Sequence, residues 1–266
     1  MDIQRAKTAL AGTRFADLRW VDETGSTNAD LVAAATSGAG DQALVADLQT
    51  AGRGRLERRW EAPAGASLLM SVLVRPPFPA TGANLLSTAL GLAAVDALRD
   101  LARVDVALKW PNDLVAPGAG ADGADLKLGG LLAEMTGDAS TGAVVLGIGV
   151  NVAWSDVGFP DELTATATAV DLLDGDIDRG DLVVSILRAL DPVAELASPS
   201  ACELLVERYR ASCVTLGRRV RVELPGSELV GTASDITDDG ALVVATDDGG
   251  SVAVTVGDVV HLRPAE

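Results

Sequence analysis

The chain has 266 residues, a formal net charge of -17 and an isoelectric point near 4.3, with 48% hydrophobic but only 3% aromatic residues. That length implies one large domain, or one plus a small appendage, with a core built from Ala, Val and Leu. The acidity argues against a general nucleic-acid binder and against docking on anionic lipid, because phosphate contacts dominate such affinities; neither DNA nor a membrane is expected as a partner.

The N-terminus, MDIQRAKTAL, has no apolar signal core, and no apolar run approaches the length of a membrane span, so a cytoplasmic protein is expected. Residues 17–23 read as a strand and 27–37 as a helix, with Ser26 a fitting N-cap. Residues 43–47 form a short strand leading into an arginine-rich loop. The apolar run SLLMSVLV at 67–74 reads as a buried strand, stopped by Arg75-Pro76-Pro77. Apolar residues at helical spacing (Leu85, Ala89, Leu92, Val95, Leu98, Leu101) predict a helix over 84–101. Residues 104–109, 127–135 and 143–150 are further strands, and 182–196 and 201–213 further helices. The Gly/Ala/Asp stretch at 116–125 has no periodicity and reads as a mobile loop.

From Gly217 the texture changes. Val-rich strands at 219–224, 228–235, 241–246 and 251–256 alternate with turns at Pro225-Gly226, Asp239-Gly240 and Asp248-Gly249-Gly250. This is a small antiparallel, barrel-like module. The chain divides into residues 1–215, an α+β catalytic-size domain with a mixed sheet and flanking helices, and residues 216–266. Cys202 and Cys213 offer neither a CxxC pair nor a zinc cluster and read as buried thiols in a reducing compartment. His261, the only histidine, reads as a surface or strand residue rather than a triad member.

The richest stretch is QTAGRGRLERRW at 49–60. Arg53, Arg55, Arg58 and Arg59 lie close together in an otherwise acidic chain, with Gly52 and Gly54 alternating with the first two. Arginine binds carboxylate and phosphate bidentately, and glycine lets backbone N–H groups approach a ligand. The segment is a clamp for an anionic small molecule or, on its own, a solvated basic loop. Glu23-Thr24-Gly25-Ser26-Thr27-Asn28 is a helix cap or a set of hydroxyls for a ligand. Lys109-Trp110-Pro111-Asn112-Asp113 gathers unlike groups at a strand end, in an Asx-turn or a site. Gly147–Asn151 has G-x-G without the third glycine of a dinucleotide fingerprint, and a strand-to-turn junction needing positive φ explains it equally well. No P-loop is present.

In order, ETGSTN, GRGR…W, KWPNDL, KLGGLLAE and GIGVN resemble the biotin protein ligases, densely over residues 15–155 and loosely beyond. The resemblance implies a class II synthetase-like catalytic domain plus a small SH3-like β-barrel. It implies that biotin and ATP, accompanied by Mg²⁺, are joined as biotinyl-5′-AMP. The biotinyl group then passes to a lysine of the biotin carboxyl carrier domain of an acyl-CoA or pyruvate carboxylase. By the same resemblance Ser26, Thr27, Asn28, Gln49, Gly52, Arg53, Arg55, Lys127 and Gly130 bind biotin. Arg55, Arg58, Trp60, Lys109, Asn112, Lys127 and Asn151 bind ATP. Arg53, Arg55 and Lys127 are catalytic with Asp113, which acts as the base for the incoming lysine or as a Mg²⁺ ligand. Glu57 stands where the family often has glycine, and the gap between Lys109 and Lys127 is long for the family. Only 25 residues precede Ser26, so the type without an N-terminal winged helix is expected. A lipoate or octanoate ligase, or a non-catalytic anion-binding module, is the alternative. Residues 50–59 are expected to order only with ligand, because four arginines repel one another until an anion arrives.

Overall fold

A computed structural model describes residues 3–75, 83–137, 142–224, 226–255 and 257–262. The apolar runs form the centre of a seven-stranded sheet. Its strands are β1 (Leu18–Thr24), β2 (Gln42–Gln49), β3 (Ser67–Val74), β4 (Ala107–Lys109), β5 (Asp113–Ala116), β6 (Leu126–Thr136) and β7 (Ala143–Asn151), in the order β1-β2-β3-β7-β6-β5-β4. Only β1 and β2 are parallel, joined through helix α2 (Thr27–Thr36). All other neighbours are antiparallel.

Strand alternation divides the sheet between two cores. Leu44, Leu73, Ala143 and Val145 pack under Leu31 and Ala35 of α2. Ala43, Val45, Met70, Val72, Val144 and Leu146 point the other way, into the main core with helices α3 (Ala83–Ala97), α4 (Arg179–Leu190) and α5 (Pro199–Ser212). Helix α2 covers only part of its face. Beyond it, Leu69 and Ser71 of β3 lie beside Gly149 and Gly147 of β7, which pair in turn with Gly130 and Leu132 of β6. That uncovered strip is the floor of a cavity.

The expected elements are present, with instructive differences. A helix over Ile3–Ala9 has too few residues for a periodic signal. Strands β5 and β12 (Asp258–His261) are four residues each and equally silent. The helix from Ala83 ends at Ala97 and continues as a π-turn to Ala102, closed by Arg103 with φ 57°. Helix α4 starts at Arg179, capped by Asp178, and breaks before Pro192. Both cysteines are free; Cys213 is buried and Cys202 half-buried. Pro76, Pro77, Pro225 and Val256, which the sequence reading used as stops, turn and strand end, lie outside the described residues. Among those described, no helix is long and apolar enough to cross a membrane.

Strands β8 (Arg219–Leu224), β9 (Ser227–Ile236), β10 (Leu242–Ala245), β11 (Ser251–Val254) and β12 form an antiparallel sheet in the order β11-β10-β9-β8-β12, the small SH3-like unit. It is bolted to the larger sheet. Val214 N–H donates to Leu108 O (2.9 Å), Trp110 N–H to Thr215 Oγ1 (3.1 Å) and Trp110 Nε1–H to Gly240 O (3.1 Å). The 116–125 segment, expected to be mobile, belongs to this joint. Gly120 N–H bonds Ala124 O, Gly118 N–H bonds Asp125 Oδ1, and Asp125 receives a two-pronged bond from Arg218 at 2.6 and 3.2 Å. His261 lies 3.4 Å from the same carboxylate, and its Nε2 is 3.2 Å from Thr215 Oγ1.

Burial pushes His261 down from 6.5 to about 4; Lys109 and Arg218 add to the effect and Asp125 opposes it. The histidine therefore folds neutral. Between pH 6.5 and about 4 the unfolded chain takes up a proton that the folded chain refuses, so stability falls as the pH is lowered through that window. For Asp125, burial pushes upward, but Arg218 and the Gly118 N–H outweigh it and hold the carboxyl below its usual value. Its contribution is lost only at more acidic pH. Urea midpoints should fall between pH 6.5 and 4, and His261→Gln should flatten that slope. An identical slope in the variant would assign the acid sensitivity elsewhere.

Candidate active site

The glycines of GIGVN define the site. Gly147 and Gly149 are mid-strand residues without positive φ, so the strand-to-turn reading does not hold. Their role is clearance. A Cβ at 147 would lie 2.3 Å from Asn28 Oδ1, and one at 149 would lie 2.6 Å from Cε2 of Trp60. The first turn of α2 and the Trp60 indole therefore rest directly on the sheet and wall a cavity of about 300 Å³.

One end of the cavity is a neutral hydrogen-bonding pocket. Ser26 caps α2, its Oγ accepting from Ala29 N–H at 3.4 Å. Gln49 Oε1 accepts from both the N–H (2.7 Å) and the Oγ1–H (2.9 Å) of Thr27. Thr27 Oγ1 also meets Ser71 Oγ at 2.7 Å, and Ser71 Oγ–H donates to Asn28 Oδ1 at 2.6 Å. Asn28 Nδ2–H donates to Glu134 Oε2 at 2.8 Å.

The other end is cationic. The arginine loop closes on itself: Arg53 and Arg59 form a bridge, Gly54 N–H donates to Arg58 O (2.7 Å), and Trp60 N–H donates to Gly52 O (3.1 Å). A Cβ at 52 would lie 2.2 Å from Trp60 O, which explains that glycine as the hinge partner of Trp60 behind the cavity wall. Arg53 pairs with Glu134 (3.1 Å). Arg55 reaches Asn112 Oδ1 (3.1 Å), Gly257 O (3.3 Å) and Asp258 (3.6 Å), and Arg58 pairs with Asp258 (2.5 Å). Arg59, mostly exposed, is 3.9 Å from Glu61. The premise that these arginines lack counter-ions until a ligand arrives is therefore corrected, since the fold supplies Glu134 and Asp258 to three of them. The Glu57 side chain lies outside the described residues.

Lys127 Nζ sits 2.7 Å from Asp113 Oδ1 and 5.9 Å from the centre of the Trp60 ring. Lys109 faces Asp113 across the β4–β5 pair; burial holds its ammonium below the usual lysine value, Lys127 and Arg218 add to this, and Asp113 and Asp125 oppose it. Asn112 spends both ends of its amide, accepting from Arg55 and donating to Leu131 O at 2.8 Å. The Trp60 indole N–H is buried in the wall, and among the described residues it meets no acceptor.

Most of the expected residues converge; Gly52 stands behind the cavity wall, and two others need restating. Asn151 does not line the cavity; it is buried, donating to Thr168 O (3.0 Å) and accepting from Ser67 Oγ (3.3 Å), and so pins the segment after β7. Asp113 is committed to Lys127, which restrains it as a base. As a metal ligand it stands alone, because among the described residues no three His, Cys, Asp or Glu side chains gather to hold an ion. Sequence reasoning missed Ser71, Glu134 and Asp258. Ser71 is the polar residue in the middle of a buried strand that is apolar but for it and Ser67 at its start, and Glu134 is the one acid in the strand after Lys127; those were the available signals. Asp258 reaches the site from the second sheet and has none.

A cationic clamp beside a pocket of hydroxyls and amides, on a mixed sheet with an SH3-like appendage, is the architecture of an enzyme that activates a carboxylic acid. Residues 24–151 match the biotin/lipoate A/B protein ligase family, and residues 215–262 match the biotin protein ligase C-terminal domain. The chain is 43% identical over 262 residues to a biotin–[acetyl-CoA-carboxylase] ligase of Mycobacterium tuberculosis, covering 95% of this chain and 92% of that protein. It is 31% identical to a bifunctional ligase/repressor of Escherichia coli, covering 97% of this chain and 76% of that one. A biotin protein ligase from Aquifex aeolicus in complex with biotin and ATP superposes with a TM-score of 0.77 at 26% identity, over 94% of this chain and all of that chain. The chain belongs to the biotin protein ligase family.

Two outcomes follow from the site geometry. Gly149→Ala should drive its methyl into the indole, cost roughly 1–3 kcal/mol of stability as overpacking, and displace Trp60, read as altered tryptophan fluorescence with weakened ligand binding. Asp258→Asn removes the anion between Arg55 and Arg58, so trypsin should cut after these arginines faster than in the wild type. Unchanged cleavage would show that Asp258 does not restrain the loop.

Proposed function

We propose that this cavity binds biotin and Mg-ATP, joins them as biotinyl-5′-AMP with release of pyrophosphate, and passes the biotinyl group to a lysine of a carboxylase carrier domain. The observation that carries this reading is the pairing of a neutral donor–acceptor pocket with a cationic clamp in one cavity. A cyclic urea presents two N–H donors and one C=O acceptor, which suits Thr27, Ser71 and Gln49. A carboxylate beside a triphosphate needs concentrated positive charge, and Arg53, Arg55, Arg58, Lys109 and Lys127 supply it.

In the first step a carboxylate oxygen of biotin attacks the α-phosphorus of ATP, and pyrophosphate leaves. Ligand anions take over the arginines and Lys127 from Glu134, Asp258 and Asp113, so the same cations serve the closed free protein and the loaded one. Mg²⁺ would enter with the nucleotide as part of the substrate; among the described residues no three candidate ligands gather to hold it, so the phosphates would supply most of its binding and Asp113 could contribute. The Trp60 indole N–H offers an unspent donor to the bound adenylate. In the second step the carrier lysine amine attacks the acyl carbon and AMP leaves. The amine, with an unperturbed pKa of about 10.4, must first lose a proton, and Asp113 accepts it once Lys127 has turned to the ligand. Residues 1–215 form the catalytic unit in this reading and residues 216–266 complete its rim. The carrier domain belongs to an acyl-CoA or pyruvate carboxylase, and the reaction takes place in the cytoplasm.

ATP–pyrophosphate exchange should depend on biotin, with a tightly bound adenylate recoverable from the protein. Exchange supported by lipoate or octanoate but not by biotin would refute this assignment. Arg53→Ala and Lys127→Ala should each lower adenylate formation tenfold or more, since a charge-assisted hydrogen bond is worth about 1.5–3 kcal/mol. Arg59→Ala should change it little, its side chain being 79% exposed and 3.9 Å from Glu61. Equal losses at all three positions would contradict the ranking.

A further inference from the structure

We propose that Glu134 is a specificity-determining positioning residue, whose carboxylate sets the hydrogen-bond polarity of the pocket through Asn28 and Ser71 while it holds Arg53 over the same pocket. This rests on the reading of the cavity as a biotin site and adds a residue to it.

Glu134 lies on the cavity face of β6, two residues beyond Leu132, and does not itself line the cavity. It acts through two neighbours, Asn28 at 2.8 Å and Arg53 at 3.1 Å. An ionised carboxylate only accepts. It therefore forces the Asn28 amide to present Nδ2 toward β6 and Oδ1 toward Ser71, an orientation that an isolated asparagine does not choose by itself. The Asn28 oxygen then claims the Ser71 proton at 2.6 Å. Ser71 has no second proton to give. The Thr27 proton goes to Gln49 Oε1 (2.9 Å) or to Ser71 Oγ (2.7 Å), and both destinations lie within the protein.

The consequence is a directed chain that starts at a fixed negative charge and ends with lone pairs on the cavity-lining hydroxyls of Ser71 and Thr27. Such a pocket favours a ring that brings N–H donors. It gives nothing to a dithiolane or a plain alkyl chain, which have none. Polar sites built to pair a donor reject the analogue lacking it far more strongly than apolar sites reject an extra methylene. The clearance at Gly147, where a Cβ would lie 2.3 Å from Asn28 Oδ1, keeps the amide in this geometry. With the same carboxylate holding Arg53 above, head-group selection and carboxylate capture share one anchor.

The test is calorimetric binding of biotin, of lipoate and of a non-hydrolysable ATP analogue to the wild type, Glu134→Ala and Glu134→Gln, each checked for an unchanged unfolding midpoint. Glu134→Ala frees the amide and should weaken biotin about tenfold, the worth of about 1.4 kcal/mol, while the ATP analogue stays within twofold. Lipoate affinity should not fall, so the preference for biotin over lipoate narrows. Glu134→Gln keeps an acceptor for Asn28 and should recover most of the biotin affinity but not the rate of adenylate formation, because Arg53 loses the ion pair that places it over the pocket before the ligand takes it over. Biotin binding within twofold of wild type in Glu134→Ala, or equal weakening of all three ligands, would overturn the proposal. A wild-type protein that bound ATP analogue but no biotin would instead overturn the functional reading on which it rests.

Discussion

The structure depends on the absence of two side chains. Gly147 and Gly149 sit where the sheet must be bare, and the start of α2 and the Trp60 indole occupy the space. A methyl group at either position would lift one wall of the cavity. The cavity walls are placed by these contacts: Asn28 over Gly147, Trp60 over Gly149, and, through Trp60 and Gly52, the arginine loop. Because the glycines are in a central strand paired on both sides, the floor is as rigid as the core beneath it.

On that floor the protein solves an electrostatic problem. An acidic chain must hold a cluster of cations together in one cavity. The solution is internal carboxylates at ion-pairing distance: Glu134 for Arg53, Asp258 for Arg55 and Arg58, Asp113 for Lys127. These pairs are partly exposed, so each contributes modestly to stability and yields to a more highly charged partner. The second sheet is part of this arrangement. Through Asp258 and Gly257 it restrains the loop, and through Asp125, Arg218 and His261 it is fastened to the strand that carries Lys127.

The neutral end of the cavity follows a different rule. Ser26, Thr27, Asn28 and Ser71 are nearly or wholly buried, and apart from the helix cap of Ser26 they satisfy one another, Gln49 and Glu134. Buried polar networks of this kind are favourable only when every member is paired. The bonds that satisfy them also fix which protons and lone pairs face the cavity.

Much of this was legible in the chain. The buried run at 67–74, the Ser26 cap, the valine-rich strands after Gly217 and the arginine loop follow from local chemistry, and five short motifs in order identify the family resemblance. Local chemistry does not report on what lies across a sheet. Gly147 and Gly149 looked like a turn because clearance for a distant indole leaves no local mark. Asn112 and Asp113 read as an Asx-turn or a site, and the choice stayed open because Arg55 and Lys127 reach them from other segments. The 116–125 stretch looked loose because its anchors, Arg218 and His261, come from the second sheet. Ser71 and Glu134 were visible as polar residues in apolar strands, but only strand register set them opposite Gly147 and Val145, on the face that meets Asn28. The sequence by itself determined the elements and the types of chemistry available. The tertiary structure decided which charges are paired and which faces of the strands line the cavity, because both depend on distances between residues that are far apart in the chain.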